Sequence, residues 1–171
     1  MTTLNAPVRA HVEHAEAICR LLNLCYRGDV GWTNEHSLVD GIRTTVEDVQ
    51  TVLSQDHQHF LIWLDEGKLL ACVCLSEAEN HAEFGTFAVQ PELQNQGLGK
   101  QIMDYSEQYA KNTLAKTAMQ MWVLSPRTEL MAFYERRGYT HVNEIKAFPA
   151  HLNVGTPKVS NLTMQMMTKA L

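Results

Sequence analysis

The hydrophobic positions near the amino terminus recur with a helical period. After a short strand pattern over residues 7–11, apolar residues recur at i, i+3, i+4 and i+7, and this set comprises Ile18, Leu21, Leu22 and Cys25. Such a stripe predicts an amphipathic helix. A second helix is predicted from a shorter stripe that comprises Val46, Val49, Val52 and Leu53. The stretch between them, RGDVGWTNEHSLVDGIR, is irregular and predicts a loop or a broken helix.

The middle of the chain changes to runs of β-prone residues. HFLIWLDEGKLLACVCLSEA contains two apolar runs, and the turn that separates them consists of Asp65, Glu66, Gly67 and Lys68. This pattern predicts a β-hairpin. A third run, HAEFGTFAVQP, ends at Pro91 and predicts a further strand. The helix predicted after it carries four apolar or aromatic residues on one face, namely Leu98, Ile102, Tyr105 and Tyr109.

The last part of the chain alternates again between strand and helix patterns. AMQMWVL predicts a buried strand, and Ser125 followed by Pro126 is typical of a helix start. RTELMAFYERR then predicts a helix that ends at Gly138. Two final strands, over residues 139–147 and 162–168, flank the loop FPAHLNVGTPKVS. The order β α α β β β α β α β β predicts an α/β or α+β fold with a mixed sheet.

Length and charge narrow the class of protein. The chain has 171 residues, of which 45% are hydrophobic, so we expect a single domain over residues 1–171. A net charge of −5 gives no basic surface for nucleic acid. No apolar run approaches the roughly 20 residues of a membrane span, and the start lacks a secretory pattern. We therefore expect a cytoplasmic protein that binds neither nucleic acid nor membrane.

The four cysteines do not form a recognisable metal or disulfide motif. Cys19 and Cys25 fall in a helical pattern, and Cys72 and Cys74 share one face of a strand. The chain has no CxxC pair and no companion CxxH. The sequence therefore predicts reduced thiols and no metal site.

The stretch QPELQNQGLGK places glycines between a predicted strand and a predicted helix. The first N–H groups of a helix lack backbone partners, so this turn is suited to a diphosphate. A Walker A loop is excluded because Gln94 replaces its first glycine and Gln101 replaces its hydroxyl residue. A dinucleotide GxGxxG fingerprint is excluded because Ile102 stands where glycine or alanine is required.

Two stretches in order, AEFGTFAVQPELQNQGLGKQIM and ELMAFYERRGY, resemble the motifs of the GNAT superfamily of N-acyltransferases. The resemblance implies a mixed, splayed β-sheet of about seven strands flanked by about four helices. It also implies that the pantetheine of acetyl-CoA, the co-substrate, lies between the fourth and fifth strands. One departure is Arg127, since many members have asparagine seven residues before the tyrosine of the second motif.

The resemblance also implies roles for individual residues. Binding of acetyl-CoA is assigned to Phe87, Ala88, Val89, Gln94, Asn95, Gln96, Gly97, Leu98, Gly99, Lys100 and Tyr134. The Val89 N–H is the predicted oxyanion donor, and Tyr134 is the predicted general acid for the departing thiolate. Glu83, six residues before Val89, is the predicted general base. Three neighbours stay open as alternatives, namely Glu77, Glu79 and His81.

The acceptor is expected near the two irregular segments. Trp32 is a candidate apolar wall, Glu35 and Asp40 are candidate carboxylates for a cationic acceptor, and FPAHLNVGTP is placed to close the far side. We expect transfer of an acetyl group to a primary amine of a small molecule, by direct attack in a ternary complex. Two alternatives stay open: a CoA-binding sensor without turnover, and a protein acetyltransferase that acts on lysine or an N-terminus. A homodimer is also left open.

Overall fold

The computed structural model describes residues 3–31 and 34–171. Within these ranges four α-helices are formed, namely α1 (Ala15–Arg27), α2 (Val46–Leu53), α3 (Leu98–Asn112) and α4 (Thr128–Glu135). The strands in the same ranges are β1 (Val8–Arg9), β2 (Val39–Asp40), β3 (Gln58–Asp65), β4 (Lys68–Glu77), β5 (His81–Val89), β6 (Ala118–Leu124), β7 (Thr140–Ala147), β8 (Thr156–Pro157) and β9 (Thr163–Ala170). The predicted order of the longer elements is confirmed.

The main sheet has seven strands in the order β1-β3-β4-β5-β6-β9-β7. Its neighbours are antiparallel except β5 and β6, which are parallel. These two strands pair only through His81–Glu83 of β5, opposite residues 118–120 of β6. Because the pairing stops there, β5 and β6 separate towards their carboxyl ends. The mixed, splayed sheet is thus confirmed.

Helices cover both faces of the sheet. On one face α3 packs over Phe84 and Met121 through residues such as Ile102. On the other face the stripe of α1 is buried against β3 and β4, and Ile18 and Cys25 are at most 1% exposed. The predicted apolar stripe of α1 is therefore its core-facing side.

Two local predictions differ from the structure. Helix α4 begins at Thr128 with Arg127 as its N-cap, not at Ser125. Ser125 is instead engaged with β9, since its N–H donates to Thr163 O (2.8 Å) and its hydroxyl accepts from Thr163 Oγ1 (2.8 Å). In α3 the buried face lies towards Met103, and Tyr105 is 37% exposed at its rim. Tyr105 and Tyr109 instead stack on each other, and Tyr109 Oη lies 3.3 Å from His59 Nδ1.

The segments around residues 28–45 and 148–161 are less irregular than predicted. Val39 pairs with Pro157 and Asp40 pairs with Thr156, so β2 and β8 form a second, two-stranded antiparallel sheet. Two-residue strands carry no periodic pattern, so this pairing could not be predicted from the sequence. No helix within the described ranges has the length and apolar character needed to cross a bilayer.

Candidate functional site

A cavity of about 450 Å³ opens where β5 and β6 separate. Its walls come from the end of β5, the turn before α3, the first residues of α3, helix α4 and the end of α1. Ten of the predicted acetyl-CoA contacts line it, namely Phe87, Ala88, Val89, Gln94, Asn95, Gly97, Leu98, Gly99, Lys100 and Tyr134. Gln96 does not line it, and its amide donates instead to Glu92 O (3.1 Å). The two motifs of the sequence thus meet in one cavity.

The backbone of β5 is irregular where it lines the cavity. Its register with β4 shifts opposite residues 72–74, and Thr86 takes a positive φ of 51°. Gln90 N–H donates to Leu70 O (2.9 Å) across the β4 edge. Because antiparallel pairs alternate, the N–H of Val89 points away from β4 and towards the gap. The Val89 carbonyl already accepts from Gln94 Nε2 (3.0 Å), which leaves the N–H for a group in the cavity.

The turn before α3 presents backbone amides at the other end of the cavity. Gly97 is the N-cap with a φ of 79°, and the first intrahelical bond runs from Gln101 N–H to Gly97 O (3.3 Å). The preceding amides of α3 therefore have no intrahelical acceptor. A Cβ on Gly99 would lie 3.6 Å from the Phe87 ring and 3.7 Å from the Phe133 ring, which are ordinary contacts. The protein itself thus leaves room at Gly99, and an anion can approach these amides closely.

Tyr134 lies inside the cavity among other aromatic rings. It is 6% exposed and packs edge-on against Phe84, Phe133 and Tyr139. Its hydroxyl makes no hydrogen bond to another residue that the structure describes. Burial raises the pKa of Tyr134 above its ordinary value. The phenol is therefore protonated at neutral pH and faces the cavity with a donor to offer.

Arg127 occupies the position where the family often has asparagine. It is 5% exposed, lines the cavity at the start of α4, and its Nε donates to Glu129 Oε1 (2.6 Å). The guanidinium is thus held by a carboxylate of the same helix turn. Its presence adds a positive group to the α4 side of the cavity.

Tyr26 was missed by the sequence analysis. Its hydroxyl accepts from Phe87 N–H (3.1 Å) and donates to Phe87 O (3.0 Å), so it occupies the gap-facing edge of that residue. Burial raises the pKa of Tyr26, and the phenol stays neutral. No pattern in the sequence connects the last turn of α1 with a strand 61 residues further on.

Of the two carboxylates predicted to bind a cationic acceptor, Glu35 lines the cavity and Asp40 does not. Glu35 lines the cavity, but Arg27 Nη1 lies 2.8 Å from its Oε2, and Arg27 Nη2 also donates to Val154 O. The charge of Glu35 is thus neutralised by a buried partner. Asp40 is exposed, accepts from Gly41 N–H (3.0 Å) and lines neither this cavity nor the second one described below. Trp32 lies outside the described residues.

The candidate bases lie beside the cavity and not in its lining. Glu83 is the last β5 residue paired with β6, and it lies on the sheet face that carries Cys74. Glu77 is held by Lys116 (2.8 Å) and His59 (3.1 Å). These two partners lower the pKa of Glu77, and Glu79 and His81 also lie outside the lining.

The thiols are unsuited to nucleophilic chemistry. The four cysteines are free, and burial raises the pKa of Cys25 to about 11 and of Cys74 to about 12. Burial also raises the pKa of Cys72. A protonated thiol is a poor nucleophile. Among the described residues, no group of three or more His, Cys, Asp or Glu side chains is placed to hold a metal ion.

The sequence matches the model of the acetyltransferase (GNAT) family over residues 15–139. Among solved structures, a spermidine N-acetyltransferase from Vibrio cholerae in complex with CoA and spermine is 15% identical, with a TM-score of 0.70 over 98% of this chain and 94% of that one. The ribosomal-protein-S18-alanine N-acetyltransferase from Escherichia coli is 13% identical, with a TM-score of 0.68 over 96% and 92%. A GNAT family acetyltransferase from Elizabethkingia anophelis with acetyl-CoA bound is 20% identical, with a TM-score of 0.62 over 74% and 84%. No curated protein matches the chain.

Proposed function

Because the chain belongs to the GNAT family and is an acetyl-CoA-dependent acetyltransferase, we propose that it acetylates a primary amine of a small molecule in the cavity between β5 and β6. One observation carries this proposal. A single cavity brings together the gap-facing N–H of Val89, the amides at the start of α3 and the buried phenol of Tyr134. These are the groups that acyl transfer from a thioester requires.

The residues of the cavity fit acetyl-CoA. The amides of residues 98–100 are free for a diphosphate, and Leu130 and Phe133 give an apolar wall for the pantetheine. When bound, acetyl-CoA supplies the acetyl group as an activated thioester. Since Tyr26 holds the backbone of Phe87 and the N–H of Ala88 faces β4, we assign strand-like pairing with pantetheine mainly to Val89.

Two side chains are proposed to handle protons. Tyr134 Oη donates its proton to the departing sulfur, and its burial keeps that proton in place at neutral pH. An alkylammonium with a pKa near 10.4 must lose a proton before it attacks. We propose that Glu83 accepts this proton through water, because it lies where β5 and β6 part but outside the cavity lining. The Val89 N–H is proposed to stabilise the negative charge that develops on the acetyl oxygen.

A small acceptor is supported by the way the acceptor side is closed. Pairing of β2 with β8, together with the contacts of Arg27 to Glu35 and Val154, draws two distant segments together beside Tyr26. We take a site bordered by these two paired segments to favour a small molecule over an extended peptide. The similar structures include both a polyamine and a protein acetyltransferase, so they do not decide the acceptor. A cytoplasmic location and a homodimer remain predictions.

The proposal is tested by release of free CoA thiol from acetyl-CoA across a panel of small amines and lysine peptides. We expect turnover with small amines, and protection against heat by CoA but much less by NAD or ATP at the same concentration. A ligand that binds only the folded state adds about 2.7 kcal/mol at a hundredfold excess over Kd. Protection without turnover on any amine would favour the sensor, and turnover confined to peptides would favour a protein acetyltransferase.

A further inference from the structure

A second cavity lies on the opposite face of the sheet, towards α1 and α2. Its volume is about 270 Å³. Leu22, Val49 and Phe60 give it an apolar wall, and Arg43, Asp48 and Thr86 contribute polar groups. A space of this size suits a metabolite and not a folded partner or a long peptide.

The two cavities approach each other at the bulge of β5, although no described residue lines both. Thr86 lines the second cavity, and its neighbour Phe87 lines the first. Tyr26 stands between them, because its hydroxyl bonds the backbone of Phe87 while its ring lies 5.2 Å from the Arg43 guanidinium carbon. A molecule in the second cavity would therefore have one end beside Thr86, the residue that precedes Phe87 of the first cavity.

Arg43 is the unusual residue of the second cavity. Its backbone is fixed, since Arg43 N–H donates to Asn23 Oδ1 (2.7 Å) and Asn23 Nδ2 donates to Thr44 O (2.9 Å). Its half-buried guanidinium stacks on Tyr26 but forms no ion pair or hydrogen bond with another residue that the structure describes. By contrast, Arg27 and Arg127 are both ion-paired.

The carboxylates near the acceptor side are already engaged. Asp48 accepts from Thr45 N–H (3.3 Å) in the capping box of α2, and Glu35 is paired with Arg27. The cavity lining therefore offers a ligand two charged groups: the Asp48 carboxylate, which keeps its charge because its partner is a neutral amide, and the guanidinium of Arg43. Guanidinium groups bind carboxylates through two parallel hydrogen bonds, and a partly buried site strengthens that pairing.

We propose that the second cavity binds the acceptor and that the acceptor is an amine that also carries a carboxylate, with Arg43 as the group that recognises it. The inference rests on the proposed function and names its substrate class. The carboxylate lies on Arg43, the apolar part lies against Leu22 and Phe60, and the amine points past Tyr26 towards Val89. The amine nitrogen forms a bond to the acetyl carbon as the carbon–sulfur bond breaks. One proton leaves the amine, and the sulfur gains one.

The test uses matched acceptors that differ only in the carboxylate. L-leucine is compared with L-leucinamide and isoamylamine, and 4-aminobutyrate is compared with 4-aminobutyramide and butylamine. We expect kcat/KM with acetyl-CoA to be at least tenfold higher for an acid than for its amide or simple amine. Arg43→Gln should lower kcat/KM on the acids about 10- to 100-fold, mainly through KM, and change the amides less than threefold. Arg43→Lys should retain part of the preference.

The control variant is Arg20→Gln, which removes one positive charge from an exposed position on α1 and should leave every acceptor unchanged. Turnover in which the amides or simple amines are preferred would overturn the inference and leave the proposed function standing. An equal loss on acids and amides in Arg43→Gln would make Arg43 a support for Tyr26 and would also overturn it. If no amine is turned over, L-leucine and 4-aminobutyrate are titrated into the CoA complex to measure whether they bind and whether binding depends on Arg43. Arg43-dependent binding would support the carboxylate site while the proposed function fails, and no binding would overturn both.

Discussion

The two sides of the gap in the sheet are built in different ways. The donor side is almost continuous in sequence, since residues 87–100 supply the strand end, the turn and the helix start, and α4 adds Tyr134. The proposed acceptor side is assembled from the end of α1, the segment before α2 and the loop before β9. Its ties are long-range: β2 pairs with β8, and Lys158 Nζ donates to His36 O (3.0 Å). A donor site made of local backbone can be found from a motif, whereas an acceptor site made of distant segments depends on the fold.

The two sides also differ in how far their chemistry depends on particular side chains. In the proposed site, backbone amides bind the diphosphate, so binding there should depend little on the neighbouring side chains. The proposed acceptor side would depend on the side chains of Tyr26, Arg43 and Glu35 and on the contacts that hold them. Substitutions on the two sides should therefore change different kinetic parameters.

The largest effect is expected from Tyr134→Phe on the donor side. The change removes one hydroxyl that bonds no other described residue, so the free energy of unfolding should change little. Loss of a general acid should lower kcat by roughly 10²- to 10⁴-fold with unchanged affinity for acetyl-CoA. Steady-state rates measure kcat, and thermal midpoints measure the change in stability.

The matched control is Tyr139→Phe, the neighbouring ring 6.0 Å away. Its hydroxyl donates to Glu107 Oε1 (3.0 Å), so its loss should lower stability and spare kcat. A Tyr134→Phe protein that keeps more than about half of the wild-type kcat would remove Tyr134 from the mechanism.

A smaller effect is expected from Glu83→Gln, which lies at the boundary between the two sides. A base that acts through water should contribute roughly ten- to a hundredfold at pH 7, and less as the pH approaches the acceptor's own pKa. Glu79→Gln, at an exposed position outside the cavity lining, is the control and should leave the rate unchanged at every pH. A Glu83→Gln profile that is lowered equally at every pH would show a positional role instead.

The acceptor side alone should respond to Gly155→Ala. Gly155 has a φ of 115°, and a Cβ there would lie 2.6 Å from Val39 Cγ1 and 2.7 Å from Asp40 O. We expect a loss of about 1–3 kcal/mol in stability and a several-fold rise in acceptor KM, with an unchanged Kd for CoA.

Gly67→Ala is the control for the strain alone. Gly67 also has a positive φ, but a Cβ there would meet no atom within 4 Å. Gly67→Ala should lower stability and leave the acceptor KM and the Kd for CoA unchanged. If Gly155→Ala instead weakened CoA binding, the two sides would not be separable.

The smallest effect is expected at high pH, from the ionisation of buried tyrosines. Burial raises the pKa values of Tyr26, Tyr134 and Tyr139, so these phenols keep their protons at pH 10 in the folded protein. Ionisation of Tyr134 should therefore cause no fall in kcat between pH 8 and 10. In the unfolded chain the same groups titrate near pH 10, so stability should decline as the pH rises beyond about 10. Thermal midpoints measured from pH 8 to 11 test whether stability falls as the pH rises.

The contrast between local and long-range construction also explains what the sequence predicted. Elements with a clear local pattern, such as the apolar stripe of α1 and the β-prone run of β5, were confirmed because these patterns lie within a few turns or residues. The helix start at Ser125 was wrong because Ser125 bonds to Thr163 on a distant strand through both its N–H and its hydroxyl. Tyr26 was missed, and Arg43 was not singled out, because their partners are fixed only by the folded sheet.

The donor side is tested most directly by calorimetric titration of CoA into the wild-type protein and Gly99→Val. A Cβ at Gly99 would meet only ordinary contacts, so we expect the valine variant to fold, and its thermal midpoint checks this. The added side chain stands where a diphosphate would approach the amides of α3. The account predicts a Kd for CoA raised at least tenfold by this change. An unchanged Kd in the folded variant would contradict it, and the diphosphate would then bind elsewhere.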